Sequence, residues 1–522
     1  MSFESRLAFY QTITIGMGKD QGRTDAGAQR PADQPSRRTS TTIAFGSCRK
    51  QVLPQPIFNA IARQRPDVWV WTGDYLYFKP KARLAGDIAA ALKASYLVAA
   101  ATDGERKLRA AVPIIDGVYD DHDYGENDAG GSFELRELSR QLFLDEVLRA
   151  PADSPRRTQS GGLYGMRTFG EPPHQLKLLL LDTRFARGEP ALPSVGAITW
   201  LPSPGNIAGI LRALCALLGI GSTEDLLGSQ EQWEWLEHEL TNSTAAAHLI
   251  VSSVQVLTTN APVESWGHFP NSRRRLLRLL ARTRPPAALL ISGDVHFAEF
   301  LGTFASSASS RLGSAVPATA TSVSAPMLPV GAGLFEVTSS GLTHSCGDKL
   351  FGWVACQAAL RLFGRHRLHP TVGSDSWPLG ASFPALNFGS VVAHFDGHVE
   401  SNEDGDSELL SSGAGAGAPH LLVRIHNVNG TTVMQHRLPL GLPPEAEALR
   451  WEYALAMPSV LETAAEYRWL VTIGGGIVVG WVMVVCAALW WRRVPQQTRR
   501  RGGTPAGRAA TRSTELLHVK AL

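Results

Sequence analysis

Cysteine is scarce in this chain, with five in 522 residues. Five is odd, so a fully paired internal disulfide framework is excluded and at least one thiol is free or metal-bound. An excess of one charge sign is lacking too. Fifty lysines and arginines stand against 47 aspartates and glutamates, for a net charge of +3. That near balance gives no electrostatic case for nucleic acid as a partner. No fixed-period repeat and no EF-hand loop is present, which leaves no support for a calcium-stabilised adhesion module. The opening, MSFESRLAFYQTITIGMGKD, is a poor secretion signal. Glu4 precedes the one early base, Arg6, the apolar run is short, and no small-residue cleavage site is clear. What the chain does have is 44% hydrophobic and 19% charged residues, the balance of a globular protein. Its length suits a large catalytic domain with appendages, or two to three average domains.

One long apolar run stands out. From Trp469 to Leu489 the chain reads WLVTIGGGIVVGWVMVVCAAL without a charge, and Trp490 and Trp491 follow. At about 1.5 Å per residue such a run crosses a hydrocarbon core roughly 30 Å thick, with tryptophans at the interfacial ends. The flank behind it carries Arg492, Arg493, Arg499, Arg500 and Arg501, while the flank before it is mixed. The positive-inside rule then puts the tail, 492–522, in the cytosol and the main body on the lumenal or extracellular side. Sequons at Asn242 and Asn429 suit that placement and a glycoprotein. The expected organisation is a disordered lead-in at 1–40, a domain at 41–440, a stalk at 441–468, a single transmembrane helix at 469–491 and the basic tail.

Within 41–440, short apolar runs alternate with helical patterns. IAFGSC (43–48), DVWVWTGD (67–74), VPIIDGVYDDHD (112–123), LKLLLLDTR (176–184), HLIVSSVQVL (248–257) and AALLISGDVH (287–296) contain strands. IFNAIARQ (57–64), SQEQWEWLEHEL (229–240) and SRRRLLRLLART (272–283) are helical. This alternation predicts an α/β layered domain with buried strands. Residues 303–332 are low in complexity and read as an insertion. HLLVRIHNVNGTTVMQHRLPL (420–440) predicts a hairpin turning at Asn429-Gly430.

Four motifs each follow a strand: Gly46-Ser47-Cys48, Gly73 to Tyr77 (GDYLY), Asp120 to Asp128 (DDHDYGEND) and Gly293 to His296 (GDVH). Ligands in layered α/β sheets bind beyond the carboxyl ends of strands, so these residues can converge. Carboxylates, imidazole, phenolate and thiolate together suit transition metals, with calcium beside them. Two close metals would suit phosphoryl transfer, one polarising the phosphate while a bound hydroxide attacks in line. Singly, each motif has a plainer explanation. A Gly-Asp after a strand often only forms a turn or caps a helix. Cys48 alone could be a small core residue. DDHD is the strongest of the four, because three carboxylates around a histidine repel one another unless a cation or solvent relieves them. Arg49 and Arg184 could grip phosphate oxygens. For Arg184 a surface salt bridge is the simpler expectation, and Arg273 to Arg275 read as a solvated helix face.

Taken in order, FGSCRK, DVWVWTGDYLY, YDDHDYGEND, LLLLDTR, LLGSQEQWEWLEHEL, ESWGHFPNSRRRLLRLL, ISGDVHFAEF, EVTSSGLTHS and NFG resemble the PhoD-like phosphatases (alkaline phosphatase D), within the calcineurin-like metallophosphoesterases. The resemblance runs from about residue 43 to 390. It implies a β-sandwich flanked by helices and a hydrolase of phosphate mono- or diesters, with a phosphate ester as the partner molecule. It further implies that Asp74 bridges two metals and that Cys48 and Tyr77 ligate an iron. Asp294 and His296 would add ligands, and Asn127 would bind a second metal, calcium. Asp121 and His122 fall in the DDHD signature, with His122 stabilising phosphate or protonating the leaving group. Apart from the resemblance, Arg49 is the cation expected to grip phosphate. The chain departs from the family in having Tyr119 where Trp is usual, and in the insertion at 303–332. A non-catalytic binding protein on the same fold is the competing reading. The retained Cys48, Asp74, Tyr77, His122, Asp294 and His296 argue against it.

Overall fold

The computed structural model describes residues 40–78, 87–192, 204–302, 334–348, 356, 360, 382–395 and 418–443. The lead-in, the 303–332 insertion, the stalk beyond residue 443 and the apolar run at 469–491 lie outside the described residues. Among the described residues, no helix is long and apolar enough to cross a membrane.

The five-residue runs VWVWT (β2, Val68–Thr72), LKLLL (β5, Leu176–Leu180), AHLIV (β6, Ala247–Val251) and ALLIS (β7, Ala288–Ser292) are buried at every position. Strands buried on both faces belong in parallel sheets covered by other layers. Two sheets result. In the first, β1 (Ser40–Gly46), β2 and β3 (Ile114–Val118) run parallel, with Phe45 opposite Val70 and Trp71 opposite Gly117. Antiparallel β11 (Asn387–His394) and the hairpin β12 (His420–Asn427) and β13 (Thr432–Pro439) extend it, in the order β13-β12-β11-β1-β2-β3. In the second, β5, β6, β7 and β9 (Phe335–Ser339) are parallel. Adding β4 (Gly165–Phe169), β8 (Ala298–Gly302) and β10 (Ser382–Phe383) gives the order β10-β8-β9-β7-β6-β5-β4.

The sheets pack face to face over one core, where Phe45, Val70, Val391 and Val423 of the first meet Leu178, Leu249, Ile291 and Val337 of the second. Helices cover the outer faces. α1 (Ile57–Gln64), α2 (Ile88–Ala100) and α3 (Asp103–Ala111) bury Phe58, Ile61, Leu92 and Leu108 against Trp69 and Trp71. Burial of each Trp contributes roughly 4–6 kcal/mol before the loss of conformational entropy. α2 starts where Asp87 Oδ1 accepts from Ala90 N at 2.9 Å, a side-chain N-cap. A short α4 (Asp121–Tyr124) and α5 (Arg136–Leu142) join this layer through Tyr124 and Leu142; α6 (Pro204–Leu217) precedes two helices that cover the other sheet. These are α7 (Gln230–Thr241), which sinks Trp233, Leu236 and Leu240, and α8 (Pro270–Thr283).

The expected strand 248–257 ends early, at Val251. There Ser252 Oγ donates to Val254 O at 2.7 Å, turning the chain out of the sheet so that Ser253 faces the strand ends. Strands β4 and β8 and helix α6 were not anticipated from the sequence. Arg273 was expected on a solvated helix face but is 3% exposed, its Nη1 donating to Thr258 O at 3.2 Å. Of the cysteines, Cys346 and Cys356 form a disulfide, while Cys48 and Cys215 are free and buried.

Candidate metal centre and its arginine flank

The carboxyl ends of β1, β2, β3, β6, β7 and β9 meet at one edge of the sandwich. Backbone hydrogen bonds tie their exits together: Arg49 N to Asp74 O at 2.9 Å, Gly293 N to Ser253 O at 3.1 Å, and Gly341 N to Ser47 O at 3.3 Å. The approach is close enough to dictate glycine. A Cβ at Gly73 would lie 2.5 Å from Asp120 Cβ, and one at Gly293 would lie 2.4 Å from Thr72 O. So the Gly-Asp pairs are a packing requirement that also delivers Asp74 and Asp294 into the cleft. Cys48, Asp74, Asp128, Asp294 and His296 all hold left-handed backbone, with φ of 62°, 51°, 59°, 69° and 63°. That conformation costs roughly 1–2 kcal/mol per non-glycine residue. Its concentration at one edge marks a site whose geometry the surrounding structure enforces.

The side chains form overlapping donor groups. Cys48, Asp74 and His296 present ligand atoms within 4.8 Å of one another; so do Asp74, Asp121 and His122, and so do Asp120, Asp121 and Asp294. Asp74 is common to the first two groups and Asp121 to the last two. Cys48 Sγ lies 3.4 Å from Asp74 Oδ2 and 2.9 Å from Ser340 Oγ, which also accepts from His296 N at 2.8 Å. Tyr77 Oη is 2.8 Å from His296 Nε2, and its ring lies 4.0 Å from His122, centroid to centroid, tilted by 32°. His344 packs edge-on against His296 and Tyr77, at 4.4 and 4.9 Å. Asn127 sits half-buried in the turn after α4, beside Asp128.

Charge decides which of these groups suits a cation. Burial, and then the charge of Asp121, pushes Asp74 up to about 8. Burial and the neighbouring acids Asp120, Glu264, Asp121 and Asp74 push Asp294 well up. Burial and Asp74 raise Cys48, and burial with Asp74 and Cys48 raises Tyr77. Burial drops His296 to about 3, so it is a neutral donor. Asp120 Oδ2 and Asp121 Oδ1 are buried with no hydrogen-bond partner among the described residues. Buried carboxylates with an unpartnered oxygen, a soft thiol and a neutral imidazole fit a bound metal pair.

A fourth group, Asp121, Asp128 and Glu264, is also within 4.8 Å, but here the protein supplies the cations. Arg184 Nε donates to Asp120 Oδ1 at 2.6 Å, and its Nη1 and Nη2 donate to Glu264 at 3.0 and 2.8 Å. Arg187 also pairs with Glu264, and Arg212 Nη2 reaches Asp128 Oδ1 at 2.7 Å. Burial alone would raise Glu264; Arg184, Arg187 and Arg212 overcome it and hold the carboxyl well below the usual range.

Two arginines are corrected by these positions. Arg184 is not at the surface: it is fully buried and bridges Asp120 to Glu264. Arg49 does not reach the donor groups. Its guanidinium lies 4.1 Å over the Tyr75 ring and donates to Glu105 at 2.7 Å and Ala99 O at 2.9 Å, which commits it to the α2–α3 layer. Cys48, Asp74, Tyr77, Asp121, His122, Asp294 and His296 are brought together. Asp120 of the same motif joins them, and so do Glu264, Arg187, Arg212, Ser340 and His344, which were not singled out in the sequence. Tyr119, at the position of the usual Trp, donates its hydroxyl to Asp182 Oδ2 at 2.5 Å.

The PhoD-like phosphatase family model matches residues 43–340, more than half of the 522. Among solved structures the chain is similar to one described as the structure of PhoD, with a TM-score of 0.41 and 14% identity over 80% of this chain and 76% of that one. It is also similar to the 5'-nucleotidase precursor from Thermus thermophilus, with a TM-score of 0.28 and 11% identity over 83% of this chain and 59% of that one. No curated protein matches.

Proposed function

The chain belongs to the PhoD-like phosphatase family and is a phosphoric ester hydrolase; from that premise we propose that it hydrolyses phosphate mono- or diesters at the convergence of the Cys48, Asp74, Asp121 and Asp294 loops. The observation that carries this reading is the run of three donor groups sharing Asp74 and Asp121, with more buried acid than the arginines nearby offset.

Cys48, Asp74, Tyr77 and His296 would hold one ion, for which the thiolate and phenolate favour iron. Asp74, Asp121, Asp294 and Asn127 would hold the second, where hard oxygen donors favour calcium. When bound, such ions polarise the phosphoryl oxygens and lower the pKa of water. The remaining work falls to the chain. His122, half-buried beside the Tyr77 ring, would carry a proton to the leaving oxygen. Asp74 Oδ1 accepts from His122 N at 3.4 Å and Asp121 Oδ2 from Asp128 N at 2.8 Å, so both carboxylates are aimed by backbone. Arg49 is left out of the catalytic set.

The run at 469–491 belongs to the same proposal as a single-pass anchor, with the catalytic body lumenal or extracellular. Supporting this, Asn242 and Asn429 are both exposed. The Cys346–Cys356 disulfide is of a kind that persists in oxidising compartments. Turnover of a chromogenic phosphodiester and monoester by the full chain, before and after chelation, tests the reading. The expected result is activity lost on chelation and restored by added metal. Chelator-insensitive turnover, or none with metal restored, overturns it.

A further inference from the structure

Beyond β1, Arg49 and Lys50 send their side chains in different directions. Arg49 turns away from the centre, its guanidinium 4.1 Å from the Tyr75 ring and paired with Glu105. Lys50 is half-buried and turns toward the centre, its Nζ 5.0 Å from the centroid of the Tyr77 ring. Tyr75 and Tyr77 divide the same way. The Tyr75 ring packs with Trp71 and Tyr96, while the Tyr77 hydroxyl meets His296 Nε2 at 2.8 Å. The backbone around Lys50 is held in place. Arg49 N donates to Asp74 O at 2.9 Å and Lys50 N to Thr343 Oγ1 at 2.7 Å. The Gln51 amide then clamps Tyr77, accepting from its N at 2.9 Å and donating to its O at 3.2 Å. His344 follows Thr343 and borders the same ring, edge-on to His296 at 4.4 Å and to Tyr77 at 4.9 Å. Both its ring nitrogens are buried without a hydrogen-bond partner among the described residues, although Cys48 O lies near enough to bear on the ring. A neutral imidazole carries one N–H and one lone pair, and leaving them unpaired out of water is unfavourable.

We propose that Lys50 and His344 together clasp a non-bridging oxygen of the bound phosphoryl group, and that Lys50 makes the centre favour the dianionic phosphate of a monoester over the monoanionic phosphate of a diester. The inference rests on the hydrolase reading above and adds the substrate class. Lys50 and His344 contact Tyr77 and His296 themselves, so the clasp borders the Cys48, Asp74 and His296 donor group directly. The lysine stem is flexible enough to bring its ammonium onto an oxygen there. At one separation a charge of −2 attracts an ammonium about twice as strongly as a charge of −1. A neutral N–H reads that difference far more weakly, so the two members of the clasp have separable signatures.

The test uses the metal-loaded full chain with phenyl phosphate and methyl phenyl phosphate, which share a leaving group and differ in charge. Lys50→Met should lower kcat/KM about fiftyfold on the monoester and about fivefold on the diester. Lys50→Arg keeps the charge and should restore the ratio between the two. His344→Phe keeps a ring against His296 and Tyr77, and should lower kcat/KM about tenfold on both esters alike. Its thermal midpoint should hold or rise, because no hydrogen bond is lost. Ratios within one variant cancel losses of folded protein. A second readout needs no turnover. Orthophosphate should slow acetylation of Lys50 by an N-hydroxysuccinimide ester, read on its peptide by mass spectrometry, and dimethyl phosphate should slow it much less. An equal loss on both esters in Lys50→Met, wild-type turnover or a lowered midpoint in His344→Phe, or equal protection of Lys50 by both anions overturns the clasp. Selective protection without turnover of either ester upholds the clasp and sinks the hydrolase reading alone.

Discussion

The two ends of the cleft are built from the same side chains and solve opposite problems. At one end Asp74, Asp294 and Cys48 crowd together with their pKa values pushed up by burial and by the acids around them. At the other, Glu264 and Asp128 are also buried, yet Arg184, Arg187 and Arg212 neutralise them. Proximity of carboxylates is common to both, so proximity does not distinguish a metal site. The distinction is whether the protein brings its own cations. The strained backbone largely follows the same division, with Cys48, Asp74, Asp294 and His296 left-handed at the cation-poor end and only Asp128 at the other.

The largest effect expected from breaking this contrast is at Asp74. Asp74→Asn removes the carboxylate common to two donor groups, and turnover should fall by on the order of a thousandfold or more while the thermal midpoint is kept. Retained turnover with normal metal content would remove Asp74 from the centre. The next largest is at the opposite end. Arg184→Met leaves the buried Asp120 without its cation and Glu264 with Arg187 as its remaining ion pair, and should cost about 3–5 kcal/mol in denaturant unfolding. A loss below about 1 kcal/mol would mean that those acids are relieved in another way.

The two ends should also carry opposite pH signatures. Glu264 is held low in the fold, so it adds stability above its ordinary value near 4.5 that is lost as pH falls through its folded value. Glu264→Gln should therefore cost about 2 kcal/mol at pH 7, with the gap to wild type closing in acid. Asp74 is held at about 8. In metal-stripped protein its ionisation opposes folding, so stability should fall as pH rises from about 4 through about 8. Metal loading should flatten that fall. Melting curves from acid to mildly alkaline pH, stripped and loaded, read both effects. Parallel curves would erase the contrast.

What was legible in the sequence follows from the same physics. Each Gly-Asp or Gly-Ser-Cys follows a short apolar strand, and a parallel strand delivers its next residues to the carboxyl edge, so Cys48, Asp74, Asp121 and Asp294 could be read from order alone. The covering helix at 230–241 was equally visible, because Trp233, Leu236 and Leu240 recur at helical spacing. The arginine flank was not. Whether Arg184 lies at the surface or at 0% exposure depends on Glu264, eighty residues away, and no local pattern encodes that pairing. Arg49 misled for a related reason: it adjoins Cys48 in the chain, but its side chain takes the opposite direction, onto Tyr75 and Glu105. Helix α6 carries Gly205 and Gly209 near its start, which weakens the helical signal there.

A smaller effect is expected at Cys48. Cys48→Ser replaces a soft donor by a hard one and should weaken one bound ion by about tenfold or more, with little change in fold. Unchanged affinity would make Cys48 a packing residue.

The most direct measurement of the central claim is elemental analysis of the purified full chain and two variants, one from each end. The account predicts bound metal in the wild type, a loss of it in Asp74→Asn, and wild-type content in Glu264→Gln, because the arginines and not an ion hold that carboxylate. Metal retained in Asp74→Asn but lost in Glu264→Gln would contradict the account and move the centre to the arginine end.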